Sequence, residues 1–264
     1  MFASILKMEI GSANFNDAMT PKTYEDNFFG FHSDDSFNSA KEVIPVVLQF
    51  IKPASVIDIG CGAGNWLYNW KELGVTDLLG VDGDYVRAED LIIDKNNFVS
   101  ANLDNGFSID RKFDLVTSLE VAEHIQPENA EKFVSSLCAL GDIVLFSAAI
   151  PGQDGTLHYN EQYPDYWIEK FAKHNFKPYD CLRELIWNNE KISPWYRQNV
   201  LFFVNDTVKE NHPLITSNTK KILPLVHPEI YRSRLRDAAY SKRILKNPYT
   251  AMRYFASNFF NKKK

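Results

Sequence analysis

From about residue 40 to residue 205, apolar runs of strand length alternate with stretches whose apolar positions recur at helical spacing. Short unbroken or alternating runs mark strands, and a period near 3.6 marks a helix. KEVIPVVLQFI (41–51) therefore predicts a helix interrupted near Pro45, and SVIDI (55–59) a buried strand. NWLYNWKEL (65–73) predicts a helix, DLLGVD (77–82) a strand and AEDLII (88–93) a short helix. NFVSANL (97–103) and FDLVTSL (113–119) read as strands, followed by a helix over PENAEKFVSSLCAL (127–140). DIVLFSAA (142–149), the helix YPDYWIEKFAKH (163–174), and the strands FKPYDCL (176–182) and NVLFFV (199–204) complete the body. Alternation of this kind predicts an α/β fold with helices on both faces of a mostly parallel sheet. Only a turn-rich stretch separates the last two strands, so the last strand should be antiparallel, in a hairpin at one edge.

The flanks differ from this body. Residues 1–40 are polar and aromatic and predict a cap, with Tyr24 and Phe28 as stacking candidates over a bound ligand. Residues 206–264 predict an irregular link and a basic helical appendage, because PEIYRSRLRDAAYSKRIL carries apolar residues at helical spacing. The formal charge of −5 hides an asymmetry: residues 208–264 hold 13 of the 29 Lys and Arg but 3 of the 34 Asp and Glu. The tail either docks on the acidic body or meets a membrane surface or partner. Such an acidic body does not suit a nucleic-acid groove. No apolar run reaches the roughly 18 residues of a membrane span, and the N-terminus lacks the features of a secretory signal. Cys61, Cys138 and Cys181 form no metal or disulfide pattern, and a reducing cytoplasm is expected.

Chemistry concentrates at VIDIGCGAGNW (56–66), a strand running into a glycine-rich turn and a helix. Gly60, Gly62 and Gly64 supply backbone freedom where a Cβ would clash, and the turn exposes N–H groups. In the dinucleotide fingerprint a third glycine would stand at Asn65, so that match is imperfect. Asp58 would face a pyrophosphate poorly but suits a cationic amino acid group. Asp82, at the end of the second strand, can accept bonds from vicinal ribose hydroxyls.

With LLGVDGD, VSANLDNGF and FDLVTSLEVAEHI following in order, the chain resembles class I S-adenosylmethionine-dependent methyltransferases over roughly residues 40–205. The resemblance implies a Rossmann-like sheet and S-adenosylmethionine as cofactor, with S-adenosylhomocysteine as product. It also implies that Asp58, Gly60, Cys61 and Gly62 hold the methionine portion and Asp82 the ribose. Asn102 and Leu103 fall at the adenine position, with Asp104 as the alternative register. Ser118, Leu119 and Glu120 would line the pocket.

No Asn/Asp-Pro-Pro-aromatic motif follows the fourth strand and there is no Pro-Cys pair, which argues against base methylation. The distinctive acceptor-side segment is PGQDGTLHYNEQYPDYWIEKF (151–171). His158 is the expected base for an acceptor hydroxyl, since imidazoles titrate near neutral pH. His124, Tyr159, Asn160 and Glu161 are expected acceptor contacts, and Arg197 a clamp for a phosphate or carboxylate. The His-x-Asn-Glu-Gln run and Trp-Tyr-Arg-Gln-Asn are similar to methyltransferases of bacterial capsule and surface-glycan biosynthesis. That likeness implies O-methylation of a sugar or a phosphorylated or phosphoramidate decoration. N-methylation of an amino sugar and a non-catalytic cofactor-binding scaffold are the alternatives. Glu120, His124 and His158 offer metal-ligating groups, but no compact spacing requires a metal and none is expected.

Overall fold

The structure, a computed structural model, describes residues 35–246. Helix α1 covers 35–47 of these. Then come β1 (Ser55–Ile59), α2 (Asn65–Glu72), β2 (Asp77–Asp82), β3 (Phe98–Ser100), β4 (Leu115–Leu119), α3 (Ala130–Leu140) and β5 (Ile143–Ser147). Helix α4 (Pro164–Ala172), β6 (Phe176–Tyr179), α5 (Arg183–Ile186), α6 (Pro194–Asn199), β7 (Leu201–Asn205), α7 (Pro213–Thr216) and α8 (Pro228–Lys246) follow.

The strands form one seven-stranded sheet in the order β3-β2-β1-β4-β5-β7-β6. All pairings are parallel except those of β7, which is antiparallel to both β5 and β6. Period-two alternation divides the core. Val56, Leu115, Leu145 and Phe202 pack with Val43 and Ile44 of α1 and Leu67 and Trp70 of α2. Their strand neighbours Ile57, Val116, Val144 and Phe203 pack with Phe133 and Leu137 of α3 and Phe171 of α4. Consecutive residues serve opposite faces, so a strand covered by helices on both sides reads as a continuous apolar run.

Three expectations change. The segment 88–93 is not helical. Arg87 ties back to Asp90 in a turn, and Ile92 N–H donates to the Ala63 carbonyl at 3.0 Å, stitching this stretch to the glycine loop. The first helix starts earlier than residue 41, so Pro45 lies inside it, followed by a tightening turn in which Gln49 N–H bonds Val46 O. The last two strands do pair antiparallel, but not as an edge hairpin. Helices α5 and α6 connect them, and β7 inserts between β5 and β6. Its run LFFV is buried throughout, whereas β6 carries exposed Lys177 and half-buried Pro178, which suit an edge. All three cysteines are free, with Cys61 and Cys181 buried.

The strand order reverses between β1 and β4, and ligands of such sheets sit beyond the strand ends at that point. A cavity of about 630 Å³ opens there.

Candidate active site

The floor of the cavity is the turn after β1. Gly60, Gly62 and Gly64 all have positive φ, at 80°, 53° and 94°. Gly60 also lacks space, because a Cβ there would fall 2.3 Å from Cγ2 of Val121. A Cβ on Gly62 would meet nothing within 4 Å, so open volume lies beside that backbone. Asp58, Gly60, Cys61 and Gly62 all line the cavity. Asp58 is buried, and its Oδ1 accepts from the Thr117 hydroxyl at 2.6 Å. Desolvation pushes its pKa up to about 7, partly offset by Thr117 and reinforced by the charge of Asp82. A buried carboxylate with no cation paired to it among the described residues, beside an open cradle, fits an incoming ammonium group.

Asp82 ends β2 with both oxygens engaged. Oδ2 accepts from Gly62 N–H at 2.6 Å, and Oδ1 from Gly83 N–H at 2.7 Å and from the Tyr85 hydroxyl. Burial raises its pKa above the ordinary range against these bonds. Asp82 holds the glycine loop in place and stands outside the cavity lining, with Tyr85 over it. Asn102 caps the turn after β3, its Oδ1 accepting from Asp104 N–H at 3.0 Å, and neither it nor Leu103 borders the cavity. Asp104, the alternative, instead holds the loop before α3 through Gln126 N–H at 2.9 Å. Ser118 is fully buried and also outside the lining, whereas Leu119 and Glu120 face into it. Tyr24 and Phe28 lie outside the described residues.

The turn after β4 is strained and acidic. Glu120 adopts φ 57°, an uncommon conformation for a residue with a side chain. Its carboxylate accepts from Gln153 Nε2 at 2.7 Å and Asn199 Nδ2 at 3.0 Å, and burial raises its pKa despite these bonds. Glu120 and His124, four residues apart, do not share an α-helical face, because only a short 3₁₀ turn (Ala122–His124) forms after the kink. That turn also brings in Glu123. Glu123 is buried, its Oε2 has no hydrogen-bond partner among the described residues, and desolvation together with the charge of Glu120 drives its pKa well above the carboxylate range.

His158 meets this turn from the loop after β5. Its ring packs edge-on to His124, with centroids 4.9 Å apart. Glu161 Oε1 lies 2.9 Å from His158 Nδ1 and also accepts from Asp154 N–H, while Oε2 accepts from Gly152 N–H at 2.8 Å. A carboxylate on Nδ1 selects the tautomer that leaves Nε2 as an acceptor. Any Cβ on Gly155 would fall 2.2 Å from that nitrogen, so glycine keeps it clear. The main-chain N–H groups of Tyr159 and Asn160 both donate to Glu123 O at 2.9 Å, which locks the two loops together. Glu123, His124 and His158 each place one ligating atom within 4.8 Å of the others. No compact spacing announced this trio, because 33 residues separate its two halves.

The other expected acceptor contacts are placed elsewhere. Tyr159 is half exposed, and Asn160 is buried behind the loop with its N–H on Glu123, so neither lines the cavity. Glu161 is consumed in positioning His158. Arg197 is no acceptor clamp: it is buried, with Nη2 on Glu229 at 2.8 Å and Nη1 on the Trp187 carbonyl. Its geometry anchors α8, which forms the cavity's outer wall. Further anchors are Arg183 Nη1 on the Leu223 carbonyl and His227 N–H on Gln198 Oε1. The basic segment from Pro228 to Lys246 is thus a docked helix, and residues 247–264 lie outside the described part. Among the described residues no helix is long and apolar enough to cross a membrane.

Sheet order, a single antiparallel strand and a glycine loop at the reversal define a Rossmann-like α/β fold of the methyltransferase type. The chain belongs to the methyltransferase-domain family, which it matches over residues 36–190. The methyl donor of this family is S-adenosylmethionine, which leaves as S-adenosylhomocysteine. The mitochondrial ubiquinone biosynthesis O-methyltransferase of Dictyostelium discoideum is 29% identical over 99 residues. That match covers 31% of this chain and 30% of the relative, so the chain spans under a third of it. Among solved structures, the methyltransferase domain of bacterial CtHen1 is similar at 18% identity and a TM-score of 0.48, covering 63% of this chain and 98% of that one. Magnesium protoporphyrin IX methyltransferase from Synechocystis PCC 6803 is similar at 19% identity and a TM-score of 0.47, covering 71% and 95%.

Proposed function

We propose that this protein is an S-adenosylmethionine-dependent O-methyltransferase acting on a hydroxyl of a small polar acceptor. The acceptor class we favour is a sugar, or a phosphorylated glycan decoration of the kind made in bacterial surface-polysaccharide synthesis. The observation that carries the reaction type is the Glu161–His158 pair on the wall of the same cavity that the glycine loop floors. The glycan assignment rests on the likeness of the His158–Gln162 and Trp195–Asn199 runs alone.

When bound, the cofactor supplies an electrophilic sulfonium methyl. In this reading Asp58 pairs with its ammonium, and the glycine loop accommodates the methionine portion. Asp82 would exchange the Tyr85 hydroxyl for ribose hydroxyls. His158 Nε2 takes the proton from the acceptor hydroxyl, and Glu161 steadies the imidazolium that forms. The rest of the rate comes from holding nucleophile and methyl in line.

Asp58 makes the cofactor step testable by pH. Its pKa of about 7 must drop when an ammonium arrives, so binding below that pH releases a proton. S-adenosylhomocysteine affinity should therefore rise with pH up to neutrality, by about tenfold per unit well below it, and then level off. Calorimetry across pH would show this. An affinity flat below pH 7, or one that rises as pH falls, would remove Asp58 from the ammonium site.

The unpartnered Glu123 Oε2 beside two imidazoles favours a second reading of the same chemistry. Glu123, His124 and His158 would hold a divalent cation, which lowers the pKa of a coordinated hydroxyl. One assay addresses acceptor and metal together. Methyl-labelled cofactor is offered with nucleotide sugars, sugar phosphates and amino sugars, with and without prior chelation. Label on oxygen that survives chelation supports His158 as base. Label lost on chelation and restored by added magnesium or manganese supports the cation. Transfer to amino sugars alone would replace the O-methyl reading with N-methylation. No transfer despite cofactor binding would leave a scaffold.

A further inference from the structure

The cavity has an outer wall whose chemistry the proposed transfer does not use. Helix α8 contributes Arg232, Arg234 and Arg236 to the lining. The helix is held there by the Arg197–Glu229 pair and by Arg183 on the Leu223 carbonyl. Carboxylates account for only one of the three guanidinia. Arg234 Nη1 reaches Asp154 Oδ2 at 2.7 Å, and its Nη2 reaches Asp237 at 3.5 Å. Glu229, the other acid on this stretch of α8, is taken by Arg197.

Arg232 and Arg236 have no carboxylate within 4 Å among the described residues. They stand four residues apart, on one face of the helix, and both are exposed. Two unpaired like charges at this spacing repel each other, a cost that a shared anion would reverse. Guanidinium forks match the oxygens of phosphate and can bind it bidentately. The Asp154–Arg234 pair adds a geometric link. Asp154 belongs to the loop that carries His158, and its N–H bonds the same Glu161 that orients that imidazole. The basic helix and the catalytic loop are therefore one frame.

We propose that Arg232 and Arg236 bind a phosphate group of the acceptor, so that a hydroxyl of the same molecule is presented to His158. This rests on the O-methyltransferase reading and narrows its substrate to a small phosphorylated molecule. Two unpaired guanidinia match the charge of a phosphate dianion better than that of a single carboxylate. The role expected of Arg197 passes to α8, beyond the stretch whose motifs marked the fold.

The test uses the full chain saturated with S-adenosylhomocysteine and titrated by calorimetry with inorganic phosphate, and separately with acetate. Wild type should bind phosphate at least about tenfold more tightly than acetate, given that charge-assisted bonds to two guanidinia are lost or weakened with a monoanion. The double variant Arg232→Gln/Arg236→Gln should lose at least about tenfold in phosphate affinity, while Lys112→Gln, exposed, outside the cavity lining and beside Asp142, should not. Both arginines are solvent-exposed, so unchanged S-adenosylhomocysteine affinity in the double variant is the check on its fold. Phosphate bound equally by the double variant, or not bound by wild type, would overturn the proposal, and so would acetate bound as tightly as phosphate. None of these outcomes touches the cofactor reading, which fails separately if wild type does not bind S-adenosylhomocysteine.

Discussion

Replacing His158 with alanine is expected to lower kcat by about 10²–10⁴-fold, the usual contribution of a positioned general base. Affinity for S-adenosylhomocysteine should stay nearly unchanged, because the proposed cofactor cradle is built from the β1 turn and His158 belongs to the loop after β5. The Glu161 carboxylate on Nδ1, held by two main-chain N–H groups, leaves the imidazole little freedom. The strained backbone of the same loop, with Asp154 at φ 64° and Leu157 at φ 59°, indicates that this placement is maintained against a local cost. A Glu161→Gln variant should fall between wild type and His158→Ala, since an amide can orient the ring but cannot stabilise its protonated form. Steady-state kinetics with the acceptor found in the labelled-methyl assay would measure both variants. Full activity in His158→Ala would remove this residue from the reaction under either the base or the cation reading.

The second large effect concerns the sheet. Phe203→Ala should destabilise the fold by about 3–5 kcal/mol, the range for truncating a fully buried aromatic. Phe203 stands in β7, fully buried, with Val144 of β5 and Pro178 of β6 as its register partners. Its ring stacks on Phe171 at 3.9 Å between centroids and meets Phe146 edge-on at 5.8 Å. Removing it would open a void between the sheet and α4 that two rigid rings cannot fill. Urea unfolding should show a lower midpoint with an unchanged slope. A loss under about 1 kcal/mol would mean that β7 is not the packed interior strand described here, because a well-packed site cannot collapse that far.

Local pattern was enough to place most strands and the glycine loop. Ser55–Ile59 and Asp77–Asp82 match the sequence expectation residue for residue, because each is a buried apolar run ended by a turn-forming glycine or acid. The positive φ at Gly60, Gly62 and Gly64 follows from the same eleven-residue stretch. AEDLII misled because its apolar residues suit a helix, yet they serve the glycine loop, where Ile93 packs at the place a Cβ of Gly64 would occupy. Arg197 misled differently. A lone arginine near polar residues looks the same in sequence whether it faces a ligand or an internal glutamate.

By itself, then, the sequence determined the strand-to-helix rhythm, the glycine turn with Asp58 behind it, and the dense polar character of His158's segment, since all of these are written in neighbouring residues. Only the tertiary structure decided that Glu123, His124 and His158 converge, that β7 lies inside the sheet, and that the arginines of α8 wall the cavity. Each of those joins residues far apart in the chain, and such contacts depend on how the connections cross the sheet. The patterns that form a helix or a strand carry no information about which distant element it will face.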